Sequence, residues 1–524
     1  MNLPNIGSQD FLPLWPAMVL SLGAILLLLS EVFLSTASRA YQSALACGTS
    51  LIAMAIALKL TGEKPGEIFL GFGVMDPFSA ATSAVICLAT ALASVASAGF
   101  LHRRHAERGE FYALMLFGAA GMSLLAMSAE LITLFINLEV LSVATYALTA
   151  YLRKGARPSE AGFKYFILGA FSTALVLYGT SLLYGVTGST MLQRMSGPLA
   201  VAVKVHPGLA LSGLLLVAAG FAFKVAAVPF HMWTPDVYEG APTPVTALMS
   251  AGVKAAAFAA LVRVFVVLGK GLDPTILTTA FAALAVATMV GGNLLAVPQR
   301  NVKRMLAYSS ISHAGYLLAG VAALFAYPQK GAEQGVQVLS ATPLVSGAAA
   351  SVAARAETAK GIVFYLLAYT VSAVGAFVTV SALERREDED RGTAWDLDRF
   401  SGLAQRRPGW AFAMAAFMLS LGGIPPTVGF MGKLLIFRSA VDVGLLGVAI
   451  VGVLSSAVGV YYYLRVVVYM YMRPAAEDAP TAERSLSTEL VLAATTVAVV
   501  VLGILPGPLG SWLSRAGQIW SGGQ

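Results

Sequence analysis

Seven titratable side chains stand in or beside stretches that are otherwise almost wholly apolar. Six lie too deep in these stretches to belong to loops, and the seventh lies at a proline-rich interruption: Glu139, Lys164, Lys224, Lys254, His313, Lys433 and, at the interruption, His231. A charge at the bilayer centre costs roughly 2.5 to 3.5 kcal/mol on insertion scales, so such residues usually face a bundle interior and mark an ion or proton path. Carboxylate, amine and imidazole groups all bind and release protons, so the chemistry that these side chains could perform is proton transfer.

Several of these residues also have a simpler interpretation. Glu139 fits an ion-pair partner that holds two helices together, and His313 fits a hydrogen-bonded core histidine. Lys164, near the start of its stretch, fits a lysine whose amine reaches water at the membrane surface. His231 fits either a gate or a packed polar residue. The sequence alone leaves these alternatives open.

Two of the apolar stretches are interrupted by proline. Lys224 lies in "FAFKVAAVPFHMWTP", about one turn before Pro229, and Lys433 lies in "LGGIPPTVGFMGKLLIF", beyond Pro425 and Pro426. Proline removes a backbone donor and clashes with the preceding turn, so each interruption frees carbonyl groups. Inside a membrane such backbone is tolerated only where it is buried in protein or lines a wet cavity. Two interrupted helices in corresponding places predict an inverted repeat.

The composition is that of a polytopic membrane protein. The 524 residues are 57% hydrophobic and 12% charged, with a mean hydropathy of +0.76. Because a helix needs about 20 apolar residues to cross the hydrocarbon core, we place about fourteen spanning helices. They begin near Phe11, Tyr41, Phe78, Phe111, Leu131, Ala161, Leu209, Val245, Ile276, Val302, Ala359, Trp410, Val443 and Leu490. The first is interpreted as a retained helix, because Asp10 rather than a basic region precedes it.

The predicted fold class is an all-α membrane protein that forms one membrane domain over residues 1–524. Helices 1 to 3 occupy about 11–108, a first repeat of helices 4 to 8 about 109–268, a second repeat of helices 9 to 13 about 274–473, and the last helix about 487–507.

The net charge of +7 reflects membrane topology. Basic residues concentrate in the loops after helices 3, 5, 9 and 11: Arg103, Arg104, Arg108, Arg153, Lys154, Arg157, Arg300, Lys303, Arg304, Arg385, Arg386, Arg391, Arg406 and Arg407. Simple alternation puts these loops on one side, which the positive-inside rule makes cytoplasmic, with both termini outside. This pattern argues against nucleic acid as a partner. Arg263 and Arg465 lie nearer helix ends and are interpreted as snorkelling side chains.

No cofactor or metal site is expected in this chain. The two cysteines, Cys47 and Cys87, stand far apart in apolar helices, which excludes a CxxC site. The Gly432-Lys433 pair lacks the other residues of a phosphate-binding loop, and a dinucleotide fingerprint is absent. The chain alone therefore has no visible means of redox chemistry.

The stretch "PFHMWTPDVYEGAPTPVTALMSAGVKAAAF" carries a specific resemblance. Together with "ISHAGY" at 311–316 and "GGIPPTVGFMGK" at 422–433, it resembles the antiporter-like membrane subunits of respiratory NADH:quinone oxidoreductase, a family shared with Mrp-type cation/proton antiporters. Within the family it is more similar to N-type than to L- or M-type subunits, and the likeness covers essentially the whole chain.

The resemblance implies a role for each residue. Glu139 would pair with Lys224, Lys254 would be the central relay, and His313 would lead to Lys433; Lys164 matches less securely. The chain would be a proton-translocating subunit of an enzyme of the bacterial inner membrane. Its partners would be the lipid bilayer and other membrane subunits, including neighbouring antiporter-like ones. The complex would use NADH, FMN, iron–sulfur clusters and a quinone through other subunits. A cation/proton antiporter subunit of the Mrp type and a scaffold with packed lysines remain alternatives.

Overall fold

The computed structural model describes residues 8–33, 40–153, 155–327, 348–384, 393–475, 485–507 and 510–519. Thirteen helices among these residues are long and apolar enough to span a membrane. A fourteenth, twelfth in order, is divided into two shorter halves. The prediction of an all-α protein with about fourteen spanning helices is confirmed. Lys154 and the charged segment 385–392 lie outside the described residues.

The spanning helices are numbered 1 to 14 in chain order. Helices 1 to 7 begin with Trp15–Phe33, Ala40–Leu60, Pro77–Arg103, Gly109–Met127, Leu131–Thr149, Ala156–Thr187 and the half-helix Pro207–Lys224. Helices 8 to 14 are Thr243–Leu248 continued to Leu268, Pro274–Ala296, Val302–Ala326, Ala348–Leu383, the halves Pro408–Gly422 and Val428–Asp442, Leu446–Met472 and Leu486–Ile504. A short antiparallel hairpin, Gly66–Ile68 with Gly73–Met75, joins helices 2 and 3.

Helix 7 is interrupted where the sequence predicts. Its first half ends at Lys224, and its second half is Trp233–Gly240. Ala226, between them, has a positive φ of 61°, a left-handed backbone that no continuous helix allows. The indole of Trp233 donates to the carbonyl of Phe223, at 3.1 Å, and this carbonyl also accepts from the backbone N–H of Ala226, so the residues after the first half satisfy a carbonyl of its last turn.

Helix 12 is interrupted in a corresponding way. Its first half ends in a left-handed glycine, Gly423, with the backbone N–H of Ile424 donating to Leu419, the pattern of a Schellman cap. The second half starts at Val428. Four helices, numbered 8 to 11, lie between the two interrupted helices. Because an even number of helices lies between them, simple alternation gives the interrupted helices opposite orientations. The repeat boundaries stay a prediction.

Helix 8 contains a π-helical turn. The segment Met249–Val253 has π geometry, and Lys254 begins the α-helix that follows. Such turns are rare and are frequently found at functional sites. Helices 8, 10 and 11 are almost completely buried and form the centre of the bundle. The core therefore surrounds Lys254 and His313 directly.

Candidate functional site

The Lys224 amine is buried against helix 5. It donates to the Ser142 hydroxyl at 2.8 Å and to the Tyr146 hydroxyl at 3.3 Å. Lys224 is also the last residue of its half-helix, where the partial negative charge of the helix dipole favours a cation. The interruption thus supplies the position, and helix 5 supplies the hydrogen-bond acceptors.

Glu139 lies one turn before Ser142 on the same face of helix 5 and acts electrostatically on Lys224. Among the described residues, no ion pair within 4.0 Å joins the two side chains, and the buried Oε1 of Glu139 has no hydrogen-bond partner. The structure places the expected pair next to each other with the amine bound to hydroxyl groups instead. In this arrangement the Lys224 amine is bound to hydroxyl groups, and Glu139 acts on it through its charge.

Gly169 on helix 6 makes room for the tyrosine that holds this amine. A Cβ at Gly169 would lie 2.0 Å from the hydroxyl oxygen of Tyr146, so Gly169→Ala must displace that ring. We expect Gly169→Ala to slow proton translocation several-fold in the assembled complex, because Lys224 loses an acceptor. Gly185→Ala, on the same helix with open space around its Cβ, should leave translocation unchanged. Equal rates in both variants would contradict this role of Tyr146.

The Lys254 amine lies at the centre of the bundle. It donates to both the backbone carbonyl and the hydroxyl of Ser310 on helix 10. It also stands 5.3 Å from the ring centroid of Tyr369 on helix 11, within the range of a cation–π contact. The lysine is 2% exposed, so its amine lies in the interior of the bundle.

His313 lies one turn beyond Ser310 on helix 10. Its Nδ1 is 2.6 Å from the Tyr365 hydroxyl, and its Nε2 is 3.1 Å from the Tyr463 hydroxyl. Its ring also packs on Tyr369, with centroids 4.9 Å apart. An imidazole with a hydroxyl at each nitrogen can accept a proton on one side and donate on the other.

The Lys433 amine reaches back to the interruption of helix 12. It donates to the carbonyls of Leu421 and Gly422, at 2.8 and 3.0 Å, and to the Ser456 hydroxyl at 2.7 Å. The carbonyls freed by the prolines therefore bind the ammonium. The Tyr316 ring, 4.9 Å away, separates Lys433 from His313, whose centroid is 5.5 Å from that of Tyr316.

Gly423 is the residue around which the Lys433 side chain folds. Its φ of +79° is left-handed, which costs an alanine about 1 to 2 kcal/mol, and a Cβ there would lie 3.1 Å from the Lys433 Nζ. We expect Gly423→Ala to displace the amine and lower proton translocation several-fold. Gly409→Ala, at the other end of the same half-helix and in open space, is the control. Unaltered translocation in Gly423→Ala would show that the position of this amine is unimportant.

The structure connects Lys254, His313 and Lys433 through shared aromatic contacts, and it connects Lys224 to Lys254 less closely. Tyr369 contacts both Lys254 and His313, and Tyr316 contacts both His313 and Lys433. By contrast, none of the described side chains hydrogen-bonded to Lys224 is also bonded to Lys254. The predicted residues thus form two clusters, with Glu139 and Lys224 in one and Lys254, His313 and Lys433 in the other.

Lys164 and His231 lie apart from both clusters. Lys164 is 40% exposed and forms ion pairs with Glu160 and Asp236 at 2.7 and 3.0 Å. Arg304 also donates to the Asp236 carboxylate, at 2.8 Å. His231 is half-buried within the interruption of helix 7, and its Nδ1 has no partner among the described residues. Lys164 thus belongs to an ionic cluster at the end of the bundle.

Sequence reasoning missed a buried ion pair at this same end. Lys303, interpreted above only as a topology signal, is 1% exposed; its amine lies 3.8 Å from Glu384 and donates to the Ala241 carbonyl at 2.8 Å. Glu384 also accepts from Thr243 and Trp395. The only signal in the sequence was that Lys303 lies at the very start of helix 10. That position does not distinguish a residue in a loop from a residue at a buried helix end.

The interpretation of Arg263 as a snorkelling side chain is wrong. Arg263 is 1% exposed and forms an ion pair with the fully buried Asp76 at 3.0 Å. Asp76 also caps helix 3 by accepting from the backbone of Ser79. Arg465 donates to the carbonyls of Val297 and Gln299. Arg263 is therefore held in the core, whereas the half-buried Arg465 reaches backbone carbonyls just beyond the end of helix 9.

Metal ligands do not cluster anywhere in the described ranges: no group of three or more His, Cys, Asp or Glu side chains has a metal-binding arrangement there.

Comparison with known proteins identifies the family of this arrangement. The family profile described as "NADH:quinone oxidoreductase/Mrp antiporter, TM" matches residues 128–334 and 347–459, more than half of the chain. NADH-quinone oxidoreductase subunit N of Myxococcus xanthus is 67% identical over 521 residues, 99% of this chain and 100% of that protein. Subunit N 1 of Sorangium cellulosum is 42% identical, covering 94% of this chain and 95% of that protein.

Two solved structures have the same fold as this chain. A chain of respiratory complex I from Thermus thermophilus with bound aureothin superposes with a TM-score of 0.75 at 32% identity, covering 95% of this chain and 99% of that one. A chain of the Mrp complex from Dietzia sp. DQ12-45-1b has a TM-score of 0.77 at 23% identity, covering 97% of this chain and 96% of that one, a likeness of fold alone. The chain belongs to the NADH:quinone oxidoreductase/Mrp antiporter family of membrane subunits, and within it to the subunit N type.

Proposed function

We propose that Glu139, Lys224, Lys254, His313 and Lys433 form the proton path of this subunit, while Lys164 and His231 lie beside it. The chain is a proton-translocating membrane subunit of NADH:quinone oxidoreductase, and it binds none of the redox cofactors itself. The observation that carries the proposed path is the unbroken series of contacts from Lys254 through His313 to Lys433.

The driving step is electrostatic. With Glu139 near Lys224, the ammonium has a counter-charge; when the carboxylate moves away, the buried ammonium loses that stabilisation and releases its proton more easily. The space between Lys224 and Lys254 lacks a shared hydrogen-bonding side chain among the described residues, so this transfer requires intervening water. Quinone reduction elsewhere in the complex supplies the movement of charge that begins the sequence.

The second cluster relays the proton without large movements. Ser310 holds the Lys254 amine one turn from His313, and the two tyrosine hydroxyls hold the imidazole at both nitrogens. The carbonyls at the interruption of helix 12 stabilise the ammonium form of Lys433. Each site thus holds one proton, and because aromatic rings lie between the three sites, proton transfer from one to the next also requires intervening water.

The predicted orientation puts both termini on the outer side of the bacterial inner membrane. Contacts at one end of the bundle support it: Arg157 and Arg304 both approach Glu239, and Arg103 donates to the Ser381 carbonyl at the end of helix 11. The basic loops after helices 3, 5 and 9 therefore meet at one end, as the positive-inside rule requires of a cytoplasmic face. The lipid bilayer and neighbouring antiporter-like subunits are the proposed partners.

Purification of the tagged chain after gentle solubilisation tests this assignment. Recovery with a large complex that has NADH:quinone activity is the expected result. Recovery alone, or with other antiporter-like chains only, would favour the Mrp-type alternative. Sodium flux in membranes that lack any NADH dehydrogenase would then decide for that alternative.

A further inference from the structure

An apolar groove lies on one side of the bundle, and its lining includes none of the lysines of the proposed path. It has a volume of about 520 Å³ and lies between helices 2, 3, 11 and 14. Its lining is almost wholly hydrocarbon and includes Leu58, Leu88, Leu92, Leu502 and Trp512. The groove contributes to no step of the proton path.

The depth of the groove matches one leaflet of a membrane. Along helix 14 it extends from Ala494 to Leu502, eight residues or about 12 Å of helix. Half of a hydrocarbon core is about 15 Å thick. One end of the groove lies near the last residues of helices 2 and 14, Leu60 and Ile504. The groove therefore opens at a membrane surface. An acyl chain that enters the groove from this surface would run along helix 14 and is long enough to fill the groove.

Polar groups suited to a phosphate surround the mouth. The indole nitrogen of Trp512 is buried at the groove and has no hydrogen-bond partner among the described residues. Arg515 follows one turn later on the same helix, and its Nη1 lies 3.1 Å from a Cβ built at Gly62, just after helix 2. Lys59, exposed at the end of helix 2, adds a second positive charge. A cation and an indole N–H at this depth are typical of the membrane interface.

We propose that this groove binds one phospholipid, with an acyl chain between helices 3 and 14 and the headgroup phosphate at Arg515, Lys59 and the Trp512 indole. The lipid fills a surface that the bundle leaves open and binds helix 14 and the C-terminal helix Gly510–Ala516 to the core. An anionic headgroup binds more firmly than a neutral one, because the mouth carries two positive charges.

Photo-crosslinking in the intact complex tests the site. The purified complex is reconstituted in phosphatidylethanolamine and phosphatidylglycerol vesicles that contain phosphatidylglycerol with a photoactivatable acyl chain, and labelled peptides are mapped by mass spectrometry. We expect labelling of helices 3 and 14 several-fold above that of other lipid-facing helices. Ala498→Trp, which fills the groove, should abolish the excess, and Val497→Trp, next to it but outside the lining, should not.

A double variant tests the proposed contacts with the lipid headgroup. The double variant Lys59→Ala and Arg515→Ala should reduce labelling by phosphatidylglycerol more than labelling by a phosphatidylethanolamine probe. Labelling spread evenly over all lipid-facing helices would overturn the proposal. A photoreactive residue placed at Leu88 that captures a neighbouring subunit, or the end of this chain, would also overturn it, because the groove would then be filled by protein.

Discussion

Replacing Lys254 with methionine is expected to lower the rate of proton translocation by the assembled complex roughly ten-fold or more, equivalent to about 1.4 kcal/mol on the barrier. Methionine keeps the length and apolar body of the side chain but removes the protonatable amine. In the proposed path, Lys254 is the residue of the second cluster that receives the proton from Lys224, since Ser310 and Tyr369 carry no proton at neutral pH that they readily release. The initial rate of proton uptake by vesicles containing the complex measures the effect.

The matched control for this variant is Lys164→Met. Both residues are lysines of membrane helices, but Lys164 is 40% exposed and is held in surface ion pairs. Surface ion pairs contribute only about 0 to 1 kcal/mol to stability, and Lys164 lies outside the proposed path. The rate of proton translocation should therefore fall far less than in Lys254→Met. Similar losses in the two variants, with equal amounts of assembled complex, would mean that the burial of Lys254 is not what matters.

Replacing Arg263 with alanine is expected to destabilise the fold by about 3 to 5 kcal/mol, because Asp76 would be left as a buried charge without its cation. The pair is 1% and 0% exposed and links helix 8 to the start of helix 3. The amount of assembled complex and its resistance to thermal dissociation should both fall. Arg438→Ala provides the comparison, since its ion pair with Asp442 is 63% exposed on the arginine side.

A double variant separates the charge from the packing. In Asp76→Asn with Arg263→Gln no unpaired charge remains, so the complex should be clearly more stable than with Arg263→Ala alone. If the double variant is instead the less stable of the two, the destabilisation comes from lost packing and the account of the pair is wrong.

The sequence was sufficient for the architecture because the membrane restricts the choices. A stretch such as 446–472 has no stable option in hydrocarbon except a helix, and prolines 229 and 425 cannot continue one. The same reasoning selected the five titratable residues of the proposed path, since an ionisable group inside an apolar stretch is rare. These predictions depend on local composition, which a single sequence carries in full.

Predictions that depend on which helix lies beside a side chain were less successful. Arg263 looked like a residue near a helix end, yet Asp76, 187 residues earlier, meets it in the core. Lys303 likewise meets Glu384 only through the contact of helices 10 and 11. The π-helical turn before Lys254 has no sequence signature either. Such features arise from tertiary packing, which periodicity and hydropathy do not encode.

The number of protons moved per NADH oxidised is the most direct test of the proton path. The complex carrying Lys224→Ala, and separately Glu139→Ala, is reconstituted in sealed vesicles and compared with the unaltered complex and with Lys204→Ala, a change at an exposed lysine outside the path. The account predicts a lower ratio for the first two and an unchanged ratio for the control. An unchanged ratio in fully assembled Lys224→Ala complex would contradict the claim that these buried residues carry the protons.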